Sequence, residues 1–179
     1  MPLFRGKWLG TILDMFFDMQ TILVIDDSED VRDLVATVLA KYGFTVRQAP
    51  NGRLGVQMIA EEKPDLVLCD VNMPAMNGIE TLATVRDSSN TASIPFILMT
   101  GVVSLDGFRR GMVSGADDYL IKPFTPEELI EAVMSRLVRQ SDLQLEADKR
   151  AQRLIEYAAK YPFPELAGTL DEILGSTVA

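Results

Sequence analysis

Histidine is absent from this 179-residue chain, and cysteine and tryptophan each occur once. Lacking histidine, the chain has neither the commonest general base nor the commonest zinc ligand, and it cannot donate a phosphoryl group from a phosphohistidine. A single cysteine, Cys69, excludes an intramolecular disulfide and suggests a reducing, cytoplasmic setting. Beside Asp70, it suits a small buried residue facing the other side of its strand. Positive charge is also scarce: 17 Lys and Arg stand against 26 Asp and Glu, a net charge of −9. That balance argues against direct nucleic-acid contact, which relies on cationic side chains neutralising phosphates. No apolar run approaches the roughly 18–20 residues of a spanning helix, so a membrane location is not expected.

What is present divides into three parts: an N-terminal extension (residues 1–19), a central domain (20–138) and a helical extension (139–179). The central segment 21–138 carries ten basic and seventeen acidic residues, so most of the acidity lies there. In Met1–Gln20, Leu9, Ile12, Leu13, Phe16 and Phe17 fall at helical spacing opposite Thr11, Asp14 and Asp18. The segment lacks the basic start and small-residue cleavage site of a signal peptide. It reads as a helix docked on the domain or on a second copy, as a membrane-surface helix, or as an extension upstream of a start at Met19. Two acidic residues on its polar face weaken the membrane reading.

The central segment alternates strands and helices. Thr21–Ile25, Leu66–Cys69 and Phe96–Met99 are continuous apolar runs, as expected of parallel strands covered on both faces. Phe44–Gln48 alternates apolar and polar residues and suits an edge strand; Tyr119–Ile121 supplies the fifth. Ser28 and Asp30 offer caps to a helix ending near Lys41 and Gly43, with Val31, Leu34, Val35, Val38 and Leu39 on one face. Asn51 caps a second helix, and Ile79–Arg86 forms a third after a Pro/Gly-rich loop. A further helix spans about Ser104–Ser114, and Thr125-Pro126-Glu127-Glu128 is a capping box opening the last one. Five such units predict an α/β fold: a five-stranded parallel doubly wound sheet of flavodoxin-like order. The last helix runs on without Pro or Gly to Pro162. Leu137, Gln140, Gln144, Ala147, Ala151, Leu154, Ala158 and Tyr161 keep a 3,4 spacing along it, which suits a dimerisation stalk or a solvated helix.

In a parallel sheet the carboxyl ends of the strands share one edge, where ligands bind. Asp26-Asp27, Asp70, Thr100 and Lys122 each close a strand-like run and therefore meet there. Three carboxylates, a hydroxyl and an ammonium make the chemistry of a phosphate held beside a divalent cation. Like charges about 4 Å apart cost on the order of 4 kcal/mol at an effective dielectric of about 20, so the carboxylates need a counter-charge.

Val24-Ile25-Asp26-Asp27, Asp70-Val71-Asn72-Met73-Pro74 with Gly78, Thr100-Gly101, and Gly115-Ala116-Asp117-Asp118-Tyr119 running into Lys122-Pro123-Phe124 resemble the receiver domain of two-component response regulators. The resemblance covers about residues 20–138. It implies a phosphorylation-dependent signalling receiver, with Asp70 as the phosphoacceptor attacking a kinase phosphohistidine. It implies Mg²⁺ held by Asp27, Asp70 and the backbone carbonyl of Asn72, with Asp26 acting largely through water. It also implies Lys122 and Thr100 as phosphate partners, a Lys122–Pro123 peptide able to turn cis, and Thr100 with Tyr119 as the switch. Its partners would be a sensor histidine kinase or phosphotransfer protein and a downstream protein target. Any enzymatic role would be limited to phosphoryl transfer to and loss from its own Asp70.

Two other readings stand beside it. A haloacid-dehalogenase-type phosphatase wants a second aspartate two residues after the nucleophile, where this chain has Asn72. A receiver-shaped interaction or dimerisation module without phosphorylation would leave the complete acid set unused. In the C-terminal extension, Pro164-Glu165-Leu166 and Leu170–Gly175 resemble the dimerisation helix of a histidine kinase, with proline where its histidine belongs. That segment reads as a tail folding on the stalk, a degenerate dimerisation helix, or the start of a longer output region.

Overall fold

The structure, a computed structural model, describes residues 20–101 and 115–160. The expectations for residues 1–19, for the helix at 104–114 and for 161–179 lie outside them. The strands are β1 (Thr21–Ile25), β2 (Thr45–Ala49), β3 (Leu66–Asp70), β4 (Phe96–Thr100) and β5 (Asp118–Ile121). All pair in parallel, in the order β2-β1-β3-β4-β5. The described helices are α1 (Glu29–Lys41), α2 (Gly52–Glu61), α3 (Gly78–Asp87) and α4 (Pro126–Lys160). This is the flavodoxin-like doubly wound sheet that the sequence predicts.

Central strands are apolar throughout because both faces are covered. All five residues of β3 are buried, and Ile22–Ile25 of β1 are fully enclosed. Side chains alternate between two cores. Ile22, Val24, Leu66, Leu68, Ile97 and Met99 pack beneath α1 and the first turns of α4. Leu23, Ile25, Val67, Cys69, Phe96 and Leu98 pack beneath α2 and α3. Cys69 is accordingly a buried free thiol facing away from the core that holds Leu68.

Local signals set the ends of the elements. Ser28 caps α1 by accepting from the Val31 amide, and Asn51 caps α2 by accepting from the Leu54 amide. Asn77 and Glu80 form a full capping box at α3. Thr125 and Glu128 do the same at α4, with bonds of 2.7 and 3.2 Å.

Two expectations need correction. Leu34 does not join the buried face of α1 but is 62% exposed, because Val31, Val35, Val38 and Leu39 already fill the stripe toward the sheet. β2 begins at Thr45, one residue later than expected. Phe44 instead closes the end of α1 with its amide on the Leu39 carbonyl and buries its ring in the core.

The chain divides into two units at Val138/Arg139. In the first, Leu129, Ile130, Val133 and Leu137 anchor α4 to the sheet. In the second, the helix is mostly polar, with Leu143 and Leu154 more than half exposed. No helix among the described residues is long and apolar enough to cross a membrane.

Candidate functional site

Strand order reverses at β1, whose neighbours are β2 and β3, and in sheets of this kind the ligand crevice lies there, beyond the carboxyl ends of the strands. Ile25 pairs with Cys69, so the next residues, Asp26 and Asp70, stand level on either side of that crevice. Both are buried, at 1% and 6% exposure. Burial of carboxylates requires partners, and each oxygen has one. Asp26 Oδ1 accepts from the Ser28 amide at 2.9 Å, and Asp70 Oδ2 accepts from the Asn72 amide at 2.7 Å. The remaining oxygens, Asp26 Oδ2 and Asp70 Oδ1, both accept from the ammonium of Lys122 at 2.6 Å.

Lys122 follows β5 directly, and its amide donates to the Thr100 carbonyl at 2.7 Å. The Lys122–Pro123 peptide is cis. Burial works against the charged lysine, but its hydrogen bonds and charge pairs with Asp26 and Asp70 outweigh that and hold its pKa above the ordinary value. The loop after β3 is pressed tightly under the site. A Cβ on Gly78 would collide with the Asp70 carbonyl oxygen, so only glycine permits this approach. Ala75 in the same loop has φ of 67°, in the left-handed region.

Asp26, Asp70 and Lys122 are thus brought together. Asp27 lies beside Asp26 but is exposed, and Asn72 is exposed with its backbone against Asp70. Thr100 is half-buried at the end of β4, one strand over from Asp70. Tyr119 is half-buried against the core beneath α3, and burial pushes its phenol pKa up. Cys69 is pushed well above the usual thiol range, first by burial and then by the charges of Asp70 and Asp26. Asp26 is gripped directly by Lys122.

Among the described residues, no cluster of three or more His, Cys, Asp or Glu side chains is arranged to hold a metal ion. The ammonium of Lys122 neutralises Asp26 and Asp70 instead. The donor chemistry nonetheless fits Mg²⁺. Asp26, Asp27 and Asp70 carry hard carboxylate oxygens, and Mg²⁺ is commonly held by one or two carboxylates plus water.

Sequence reasoning missed three arginines. Arg32 donates to the Asp26 carbonyl at 2.7 Å from one turn along α1. Arg86, at the end of α3, pairs with Asp117 at 2.7 Å, and Arg136 of α4 pairs with Asp118 at 3.2 Å. The Asp117-Asp118 doublet at the start of β5 was visible, but nothing in the sequence marked its partners.

Comparison with known proteins agrees with this geometry. Residues 22–134 match the family model of the response regulator receiver domain. The DNA-binding dual master transcriptional regulator RpaA of Synechocystis is 35% identical over 136 residues, covering 76% of this chain and 56% of that protein. The DNA-binding response regulator MtrA of Mycobacterium tuberculosis is 37% identical over 123 residues, covering 69% and 53%. The chain therefore spans about half the length of these curated relatives. The crystal structure of chemotaxis protein CheY4 of Vibrio cholerae is 32% identical with a TM-score of 0.64, covering 66% of this chain and 98% of that one. Two relatives are named as DNA-binding, so the expectation of no nucleic-acid contact rests only on this chain's acidity.

Proposed function

The chain belongs to the response regulator receiver domain family, and on that premise we propose that it accepts a phosphoryl group on Asp70 and changes its interaction surface in response. The observation that carries this reading is the pair of 2.6 Å contacts from Lys122 to the buried carboxylates Asp26 and Asp70 at the crevice. A carboxylate poised between a fixed amide and a mobile ammonium is a nucleophile whose charge is shared but not quenched.

The donor would be a phosphohistidine of a sensor kinase or phosphotransfer protein. An Asp70 oxygen forms a bond to phosphorus as the phosphorus–nitrogen bond breaks, and the imidazole leaves with its electron pair and takes up a proton. Water later cleaves the acyl phosphate and regenerates the carboxylate. Asp26, Asp27, Asp70 and the Asn72 carbonyl would hold Mg²⁺. Bound there, the ion supplies positive charge against the carboxylates and the phosphoryl oxygens. Lys122 follows the charge, keeping Asp26 and turning its second bond from Asp70 to a phosphoryl oxygen. Thr100 donates its hydroxyl to another. Positioning and charge neutralisation account for such transfers generally.

The switch we infer is an inward move of Thr100 with rotation of Tyr119. It would reshape the face formed by β5 and the start of α4 for a downstream protein. Couplings of this kind are typically about 1–3 kcal/mol. The chemistry is confined to Asp70 itself, with no separate catalytic output assigned to this chain. We place the domain in the cytoplasm and assign residues 139–160 to pairing of two copies along the helix. Incubation with acetyl phosphate and Mg²⁺ tests the core reading. One phosphoryl mass should appear in the wild type and vanish in Asp70→Asn; equal uptake by that variant would falsify it. Asp27→Ala should weaken Mg²⁺ binding. Truncation after Val138 should lower the mass in solution if the helix pairs.

A further inference from the structure

β5 is a four-residue edge strand, held by a single neighbour, yet Lys122 at its end must meet two carboxylates on other strands. A slip of one residue against β4 would turn every side chain to the opposite face. The register is fixed at the start of the strand. The Asp117 amide donates to the Phe96 carbonyl at 2.9 Å, and the Phe96 amide returns a bond to Asp117 Oδ2 at 2.8 Å. That same oxygen takes the guanidinium of Arg86 at 2.7 Å. Two further N–H groups of Arg86 go to the Ile94 carbonyl at 2.9 Å and the Gly115 carbonyl at 3.0 Å. Gly115 presents that carbonyl from a left-handed conformation, φ 87°, which suits glycine. One side chain of α3 thereby ties together the approach to β4, the turn before β5 and the Asp117–Phe96 bonds just ahead of the first pair between the two strands. On the opposite face Arg136 of α4 pairs with Asp118, as alternation along a strand requires.

We propose that Arg86, acting through Asp117, is a positioning residue that locks the register of β5 against β4 and so sets where the Lys122 ammonium lies between Asp26 and Asp70. Its functional meaning rests on the phosphoacceptor reading above, but its test does not. A guanidinium with three planar bonds fixes direction as well as charge, and a hydrogen bond to a charged group contributes more than a neutral one.

The experiment uses the full chain in EDTA, with Arg86→Gln, Asp117→Asn and Arg86→Lys. Two readouts are followed. One is hydrogen exchange at the Lys122 amide, bonded to Thr100, and at the Val67 amide, bonded to Pro95. The other is the ammonium resonance of Lys122 in ¹⁵N-lysine-labelled protein. In Arg86→Gln and Asp117→Asn, Lys122 exchange should rise about tenfold or more while Val67 keeps its protection, because only the edge strand is released. The ammonium resonance should move or broaden, and Arg86→Lys should restore part of both. Equal acceleration at Val67 and Lys122 means the arginine serves overall stability alone, and that overturns the proposal. So does an unmoved ammonium resonance in Asp117→Asn, which keeps its shape if Arg86→Gln does not fold. Neither readout involves phosphoryl transfer. A chain that shows these changes but takes up no phosphate sinks the earlier reading and keeps this one.

Discussion

Replacing Lys122 by methionine removes the ammonium that contacts both buried carboxylates while preserving most of the stem's bulk. Its two 2.6 Å contacts place Asp26 Oδ2 and Asp70 Oδ1 no more than about 5.2 Å apart. Two unit charges at that separation repel by about 3 kcal/mol at an effective dielectric of about 20. Asp26 and Asp70 are nearly enclosed and Lys122 is 22% exposed at its side chain, so solvent relieves little of this. Removing one partner of a buried charge pair generally costs about 3–5 kcal/mol, which agrees in size. With a slope of roughly 2 kcal/mol per molar urea, the unfolding midpoint should fall by about 1.5 M at neutral pH without metal. Adding Asp70→Asn to Lys122→Met removes the like-charge pair and should recover most of the loss, as should millimolar Mg²⁺. The reasoning is refuted if Lys122→Met unfolds at the wild-type midpoint, or if the double variant is as unstable as the single one.

Other expectations follow from neighbouring groups. Gly78→Ala should destabilise the domain by about 2–3 kcal/mol, since its Cβ would meet the Asp70 carbonyl, whereas Gly101→Ala, with nothing within 4 Å of its Cβ, should be near neutral; chemical denaturation compares them. Ala75→Gly should stabilise by up to about 1 kcal/mol, because left-handed φ penalises alanine more than the added chain entropy of glycine costs. The lysine pKa is raised by folding, so its contribution is complete below the ordinary value of 10.5 and is lost as pH rises beyond it. Cys69, also raised, gives a loss of the same sign beginning near 9.0. Denaturation against pH should therefore decline on the alkaline side, with Cys69→Ala flattening the earlier part and Lys122→Met the later.

Much of this fold could be read from residue order because the buried strands leave a direct trace. Leu66–Cys69 and Thr21–Ile25 are continuous apolar runs since both their faces are covered, and the acidic residues closing them fall on the one edge a parallel sheet offers. Asp26, Asp70 and Lys122 were identifiable for that reason, although Lys122 and Asp26 are 96 residues apart. Helical periodicity was coarser. Leu34 fits the apolar spacing of α1 yet faces solvent, since it lies at the margin of the buried stripe, about 40° around the helix from Val38. The direct lysine bridge was hidden as well, because reach across a crevice depends on backbone placement that no spacing encodes. Arg86 left no trace at all. A basic residue in the last turn of a helix is expected from the helix dipole, and only the folded turn at Gly115 reveals its further bonds.

The most direct test of the phosphoacceptor claim is to trap the modified residue chemically. After exposure to a phosphohistidine donor and Mg²⁺, borohydride reduction of an aspartyl phosphate yields homoserine at the modified position. Peptide sequencing should find homoserine at position 70 and at no other aspartate. Homoserine at position 26 or 27 instead, or intact aspartate at 70 after phosphoryl uptake, would contradict the account.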